Sequence, residues 1–208
     1  MPTLTEGAIA ELLKPYLSSP GADPDTYIDP SLYSQLSNYL DLLLKWNART
    51  NLTAIRDPEE IVRRHFGESL FAARHLHPKA TTLLDLGSGA GFPGVPIALL
   101  RPEITVTLAE SQNKKATFLR EAVRTLGLQT EVWAARAEAM PESLQFHTVT
   151  LRAVDNMTVA IAVATSRATH ELLFLTNIPP ILPSSFTLHP PIPIPNTQSS
   201  ILIRATRN

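Results

Sequence analysis

The sequence predicts an α/β chain, with a seven-stranded, mostly parallel sheet whose last pairing is antiparallel, set behind an N-terminal helical region. Three observations predict it. From residue 81 onward short apolar runs alternate with amphipathic segments, the pattern of a parallel sheet covered on both faces. One of these runs, Leu83-Leu84-Asp85-Leu86, breaks into Gly87-Ser88-Gly89-Ala90-Gly91-Phe92-Pro93-Gly94, a loop holding half of the chain's 8 glycines. The next run, Leu108-Ala109, ends in an acid, Glu110.

Taken in order, 1–19 reads as a short helix with Ile9, Leu12, Leu13 and Tyr16 on one face, and 20–30 as loop. Leu32, Leu36, Tyr39, Leu40, Leu43 and Leu44 recur at helical spacing, which predicts an amphipathic helix over 31–47. Asp57-Pro58-Glu59-Glu60 is a helix start: Asp57 caps, Pro58 suits the first turn, and Glu60 holds the capping-box position. That helix is expected to run to Leu76, so that 1–80 form the helical region and 81–208 the sheet domain. Strands are predicted at 81–86, 104–110, 130–134, 147–152 and 171–176, and helices near 94–101, 112–126, 137–143 and 155–168. The tail is unusual. No Lys, Arg, Asp or Glu lies between Glu171 and Arg204, and 7 prolines fall between Pro179 and Pro195. Proline removes ladder donors, so 184–188 and 200–206 read as two antiparallel strands joined by the proline-rich segment.

Composition narrows the function classes. With 18 Lys+Arg against 19 Asp+Glu, the chain lacks the overall basicity of a dedicated nucleic-acid binder, and any such affinity must come from local clusters. The absence of cysteine excludes disulfides and thiolate–metal sites and favours a reducing compartment. No signal peptide or membrane span is expected. The histidines show no local metal-ligand spacing, so no metal is expected.

The glycine loop after a strand marks a nucleotide-type cofactor site, because each missing Cβ lets a ligand approach the main chain. Two templates fit. Gly87-x-Gly89-x-Gly91 suits S-adenosylmethionine; Gly89-x-Gly91-x-x-Gly94 satisfies the dinucleotide fingerprint of an NAD-dependent oxidoreductase. The second puts Pro93 where a free N–H is wanted, and Asp85 suits an ammonium better than a pyrophosphate. The first is therefore the leading reading. Glu110 stands near the 20-residue spacing of a carboxylate that grips a ribose. Glu138, after the third strand, is placed to flank an adenine, or equally to meet a helix dipole. Arg152, ending the fourth strand, carries a fork suited to a cofactor carboxylate or a substrate phosphate.

From Trp46 to about Val154 the chain resembles the bacterial family called glucose-inhibited division protein B, the small-subunit ribosomal RNA methyltransferase G. The matching residues are Trp46-Asn47, Asn51-Leu52-Thr53, Arg56-Asp57-Pro58, Arg64-His65 through Ser69, Asp85 through Pro96, Arg101-Pro102, Glu110-Ser111, Lys114-Lys115, Phe118-Leu119, Ala135-Arg136-Ala137-Glu138 and Arg152-Ala153. The Gly-Phe-Pro-Gly-Val-Pro extension is more specific than the glycines alone. The resemblance implies a Rossmann-like methyltransferase fold, a cytoplasmic location, and methylation of a guanine N7 in 16S rRNA. It carries the S-adenosylmethionine contacts onto Gly87, Phe92, Ala137, Glu138 and Arg152. The chain departs from the family's pattern in three places. Phe146 is followed by His147 rather than Asp, a Gly-Gly turn and a Lys-Gly are absent with Thr176-Asn177 near the latter's place, and the C-terminal part is short and proline-rich.

Together these readings give a methyltransferase whose cofactor site comprises Asp85, Gly87, Gly89, Phe92, Glu110, Ala137, Glu138 and Arg152. No general base is expected, since guanine N7 has no proton to lose and transfer is then a matter of alignment. Arg152 is the one candidate for a catalytic role. Arg63-Arg64-His65 on one side and Lys114, Lys115, Arg120 and Arg124 on the other are expected to flank the site and contact phosphates of 16S rRNA or the 30S subunit. The chain is expected to act as a monomer. The rival readings are the NAD-dependent oxidoreductase and a non-catalytic RNA- or ribosome-binding homologue.

Overall fold

The structure is a computed structural model and describes residues 2–18, 27–154 and 156–208. Residues 20–26 of the loop expected at 20–30, both end residues of the helix expected at 1–19 and the first residue of the helix expected at 155–168 lie outside the described residues.

Two helices open the chain, α1 (Glu6–Leu17) and α2 (Ser31–Thr50). Thr5 caps α1 by accepting from the Ala8 N–H at 3.2 Å. α3 (Pro58–Ile61) starts as its sequence dictates, the Asp57 carboxylate accepting the Glu60 N–H at 2.8 Å. The single helix expected to reach Leu76 is instead broken by a π-helical turn, Val62–Gly67, before α4 (Glu68–Arg74). Gly67 allows α1 to lie close: a Cβ there would meet the Tyr16 ring at 2.6 Å.

The sheet then follows: β1 (Thr82–Leu86), α5 (Gly94–Leu100), β2 (Thr105–Ala109), α6 (Asn113–Leu126), β3 (Glu131–Trp133), β4 (Phe146–Arg152), α7 (Met157–Arg167), β5 (Ala168–Thr176), β6 (Phe186–Leu188), β7 (Ile192–Pro193) and β8 (Ile201–Arg207). The strand order is β3-β2-β1-β4-β5-β8-β6, with β7 also on β8. The first five strands pair in parallel, and β8 enters antiparallel to β5 in the register Glu171↔Thr206 to Thr176↔Ile201.

Two expectations change. Among the described residues the sheet has eight strands where seven were expected, because the proline-rich segment adds the two-residue β7 beside β8. Pro193 is tolerated there because β7 is an outer strand that need not donate on both sides. The helix expected over 137–143 is a single 3-10 turn, Ala137–Ala139. Pro141 forces the preceding residue out of the helical region, and Met140 is extended at φ −65°, ψ 145°. Arg167 holds this loop by donating to the carbonyls of Met140, Pro141 and Leu144.

Strand alternation divides the core. Leu83, Val106, Leu108, Leu173 and Leu202 face α1, α2, α4, α5 and α6, where Tyr16, Tyr39, Phe66, Phe71 and Phe118 are buried. Leu84, Leu86, Val149, Leu151, Leu172, Phe174 and Ile203 face α7 and the 3-10 turn. The N-terminal helices therefore share one core with a face of the sheet, and all five parallel strands present their carboxyl ends at one edge. That edge is where binding sites form in such sheets. Among the described residues, no helix is long and apolar enough to cross a membrane.

Candidate active site

The loop after β1 is shaped by its own backbone. The Gly87 and Ser88 N–H groups both donate to the Ala109 carbonyl at 3.0 Å, tying the loop to the end of β2. Gly87 has φ +74° and leaves its main chain exposed to a cleft of about 580 Å³. Gly91, at φ +89°, turns the chain inward; a Cβ would lie 2.5 Å from the Tyr39 hydroxyl and 2.7 Å from Val95. The Tyr39 hydroxyl donates to the Ala90 carbonyl, so α2 clamps the loop from behind. Phe92 stacks on His65 at 4.7 Å and lies against Phe66 and Tyr39, fixing the loop to the π turn and α2.

Glu110 is buried and lines the same cleft. Its Oε2 accepts the Gly89 N–H at 2.9 Å and its Oε1 the Gln112 N–H at 2.7 Å. Each carboxylate oxygen has a second lone pair, so the group can brace the loop and still accept from a hydroxyl. Ala137 and Glu138 line the cleft too, Ala137 buried and Glu138 exposed.

Asp85 is a correction. The sequence assigns it to the cofactor, yet it does not line the cleft. It is 1% exposed, on the core side of β1. Its Oδ2 accepts the Gly94 N–H at 3.0 Å and its Oδ1 accepts from the Thr150 hydroxyl at 2.9 Å. Strand alternation explains this: Leu84 and Leu86 face α7, so Asp85 faces α5 and holds that helix's first residue. Burial pushes its carboxyl up to about 6, against the lowering effect of Thr150, Ser88, Gly94 and Arg152.

Arg152 stands at the end of β4. Its Nη2 donates to Glu68 Oε2 and to the Arg64 carbonyl, both at 2.8 Å. Arg64 Nε completes the cluster at 3.1 Å from Glu68 Oε1. The Arg152 Nη1 is buried and has no partner among the described residues. A second cleft, of about 980 Å³, adjoins the first and runs toward Met157, Phe174, Thr176 and Asn177. The two clefts share His65, Arg152, Ala153 and Val154, with Ala153 at φ +48°.

Of the basic groups that the sequence sets around the site, Arg64 lines the second cleft, Lys115 the first and His65 both. Arg63 is paired with Glu59 at 2.7 Å on an exposed helix face. Burial, reinforced by the Arg152 and Arg64 guanidiniums, pushes the His65 imidazole down to about 3. It is thus a neutral wall residue, hydrogen-bonded through Nε2 to the Thr53 hydroxyl at 2.7 Å. Of the four cations on α6, only Lys115 lines a cleft; Lys114, Arg120 and Arg124 face solvent.

Sequence reasoning missed Thr53 and Glu68. Thr53 reaches the first cleft because Asn47 grips its backbone on both sides, through Nδ2 to the Thr53 carbonyl and Oδ1 to its N–H, each at 3.0 Å. The Asn47 and Asn51-Leu52-Thr53 spacing was the available signal. Glu68 carried none, since an acid within a helix reads as a solvated face.

Solved structures with this fold include a putative O-methyltransferase from Klebsiella pneumoniae, with TM-score 0.56 and 14% identity, covering 81% of this chain and 89% of that one. TrmN from Thermus thermophilus matches at TM-score 0.56 and 16% identity, over 71% of this chain and 53% of that one. At those identities the likeness shows the fold alone. Relatives in sequence are nearer. The ribosomal RNA small subunit methyltransferase G of Xanthomonas campestris pv. campestris (strain B100) is 47% identical over 137 residues, 65% of this chain and 64% of that protein. The protein of the same name from Xylella fastidiosa (strain 9a5c) is 49% identical over 126 residues, 60% of this chain and 58% of that protein. The chain thus spans less than two thirds of the length of these relatives. The family model described as GidB, rRNA small subunit methyltransferase G, matches residues 32–176. This match takes in both clefts' principal walls, the glycine loop and Arg152, and the chain belongs to the GidB family of small-subunit rRNA methyltransferases, within the S-adenosylmethionine methyltransferase superfamily.

Proposed function

We propose that the chain transfers a methyl group from S-adenosylmethionine to N7 of a guanine in 16S rRNA, with the cofactor in the first cleft and the target base in the second. The observation that carries this reading is that the two clefts meet at Arg152, whose Nη1 lacks a partner there. The residues of the first cleft fit the cofactor. The exposed Gly87 backbone admits the methionine moiety, Glu110 retains acceptor capacity for ribose hydroxyls, and Glu138 stands at the adenine end. When bound, the cofactor supplies an electrophilic sulfonium methyl, which the N7 lone pair displaces without loss of a proton.

The protein's part is alignment. Oriented approach can account for about 7–11 kcal/mol of the barrier. Arg152 is fixed by Glu68, and Nη1 is free to bind an anionic or carbonyl oxygen of cofactor or base. His65, neutral at physiological pH, adds a flat wall without a charge that would repel the sulfonium. Lys115 supplies a cation in the wall of the first cleft, and Arg64 one in the wall of the second.

A second reading, RNA binding without transfer, draws on the tail. Ile178 and Ile181, 75% and 92% exposed, border the second cleft together with Pro179 and Pro180. The test is a labelled-methyl transfer assay on 30S subunits that lack the modification. N7-methylguanine in 16S rRNA supports transfer. RNA binding without label supports the second reading, and neither result would reject both.

A further inference from the structure

The parallel strands begin at the edge of the sheet opposite the two clefts. Three histidines meet there from distant parts of the chain. His77 follows α4, His147 is the second residue of β4, and His170 is the third of β5. Their ring centroids are 5.6, 4.9 and 4.6 Å apart. One ring nitrogen from each lies within 4.8 Å of the other two, and all three side chains are half-buried. None of them lines either cleft.

We propose that His77, His147 and His170 form a structural site for a zinc-class divalent cation, which clamps the helical region to the starts of β4 and β5. Three imidazoles favour zinc and its transition-metal neighbours and disfavour magnesium and calcium, which take oxygen ligands. Tetrahedral nitrogens about 2.0–2.1 Å from zinc lie roughly 3.4 Å apart. The site therefore tightens by small side-chain rotations, available to half-buried rings. Donation from His147 Nδ1 to the Thr148 hydroxyl, 3.0 Å away, leaves Nε2 as a ligand. The His170 ring touches the other two rings and makes no hydrogen bond of its own among the described residues. His77 Nδ1 accepts the Lys79 N–H at 3.1 Å, a contact on an exposed turn that yields when that ring binds. Glu171, wholly buried, offers a compensating charge beside the site. It is shared with Arg204 Nε at 2.7 Å and the His77 N–H at 3.4 Å. No local motif announces the site because each ligand comes from a different segment. Three imidazoles leave a fourth position for a water, and none of the three histidines lines either of the two clefts, so the role proposed is to hold the two segments together.

The test uses the full chain after chelator treatment, titrated with zinc chloride by calorimetry and with cobalt chloride by visible absorbance. Expected are one zinc per chain at about micromolar affinity or tighter, a tetrahedral cobalt band, and a Tm that rises with zinc but not with equal magnesium. His147→Ala and His170→Ala, checked for folding by circular dichroism, each weaken zinc binding about tenfold or more. A readout on the unaltered chain removes dependence on the variants: zinc protects His77, His147 and His170 from diethyl pyrocarbonate, whereas exposed His189 stays reactive. The proposal is overturned by binding no tighter than about millimolar, by full affinity in both variants, or by equal reactivity with and without zinc.

Discussion

The Glu110 carboxylate accepts the Gly89 N–H at 2.9 Å, joining the end of β2 to the middle of the glycine loop. A residue expected from its spacing to hold a ribose also holds the loop in place. The two roles separate by substitution. Glu110→Gln keeps one carbonyl acceptor and the side-chain shape; Glu110→Ala leaves both Gly89 and Gln112 N–H groups unpartnered. Titration with S-adenosylhomocysteine should show a loss of about 1.5–3 kcal/mol in the glutamine variant, the range of a hydrogen bond to a charged group. The alanine variant should also lose about 1–3 kcal/mol of stability in urea. A glutamine variant that binds as tightly as the parent would leave Glu110 a loop brace only.

Gly91 and Gly7 should respond oppositely to alanine. Gly91 combines φ +89° with atoms at 2.5 and 2.7 Å from the missing Cβ, so Gly91→Ala should cost about 2–4 kcal/mol and disturb the loop. Gly7 lies in α1 with nothing within 4 Å, and Gly7→Ala should stabilise by about 0.5 kcal/mol. Thermal and urea unfolding of both variants checks the pair; equal effects would contradict the loop's packing.

Arg152 should tolerate removal of its charge badly and loss of its fork selectively. Arg152→Met leaves Glu68 buried with Arg64 alone and should cost about 3–5 kcal/mol. Arg152→Lys keeps a cation for Glu68 but removes the second arm of the guanidinium. Its methyl-transfer rate should fall far more than its stability. A lysine variant with parental kcat would remove Nη1 from the proposed chemistry.

Two buried groups give opposite pH dependences. Asp85, at about 6 folded against 3.8 unfolded, binds more protons when native, so its contribution is fully present below 3.8 and is lost as pH rises through 6. His65, at about 3 folded against 6.5 unfolded, binds fewer protons when native, so stability falls as pH drops below 6.5. Between about pH 4 and 6 the two slopes oppose. Asp85→Asn leaves His65 unopposed, and acid destabilisation should steepen by up to about 1.4 kcal/mol per pH unit. The amide also faces the Gly94 N–H, which lowers stability at every pH without changing the slope. Urea midpoints from pH 4 to 7 decide it, and profiles of equal slope would overturn the assignment.

RNA affinity should divide the two neighbouring lysines of α6. Lys115 lines the cofactor cleft and Lys114 points to solvent. If the RNA crosses the cleft mouth, Lys115→Glu should weaken binding and reduce the log–log salt slope by about 0.7 for the lost single-strand contact. Lys114→Glu should do less. Equal effects would place the RNA along the outer face of α6.

The sequence by itself determined the order and kind of most elements, because periodicity, caps and glycine clusters are local. α2, the Asp57 cap, the glycine loop and the parallel strands all follow from residues within a few positions of one another. It also marked Gly87, Glu110 and Arg152 as cofactor candidates from the loop and the strand ends, and Phe92 through the family resemblance; all four line one cleft. Only the tertiary structure decided which way charged side chains face and what they meet. Strand alternation turned Asp85 into the core, and burial beside two guanidiniums made His65 neutral. Glu68 became Arg152's partner from far along the chain. Pro141 reduced an expected helix to one turn, and β8 gave the proline-rich tail a strand to pair with. Three histidines with no common motif came together because parallel strands share a starting edge. Burial and long-range electrostatics belong to the assembled fold, and no local pattern encodes them.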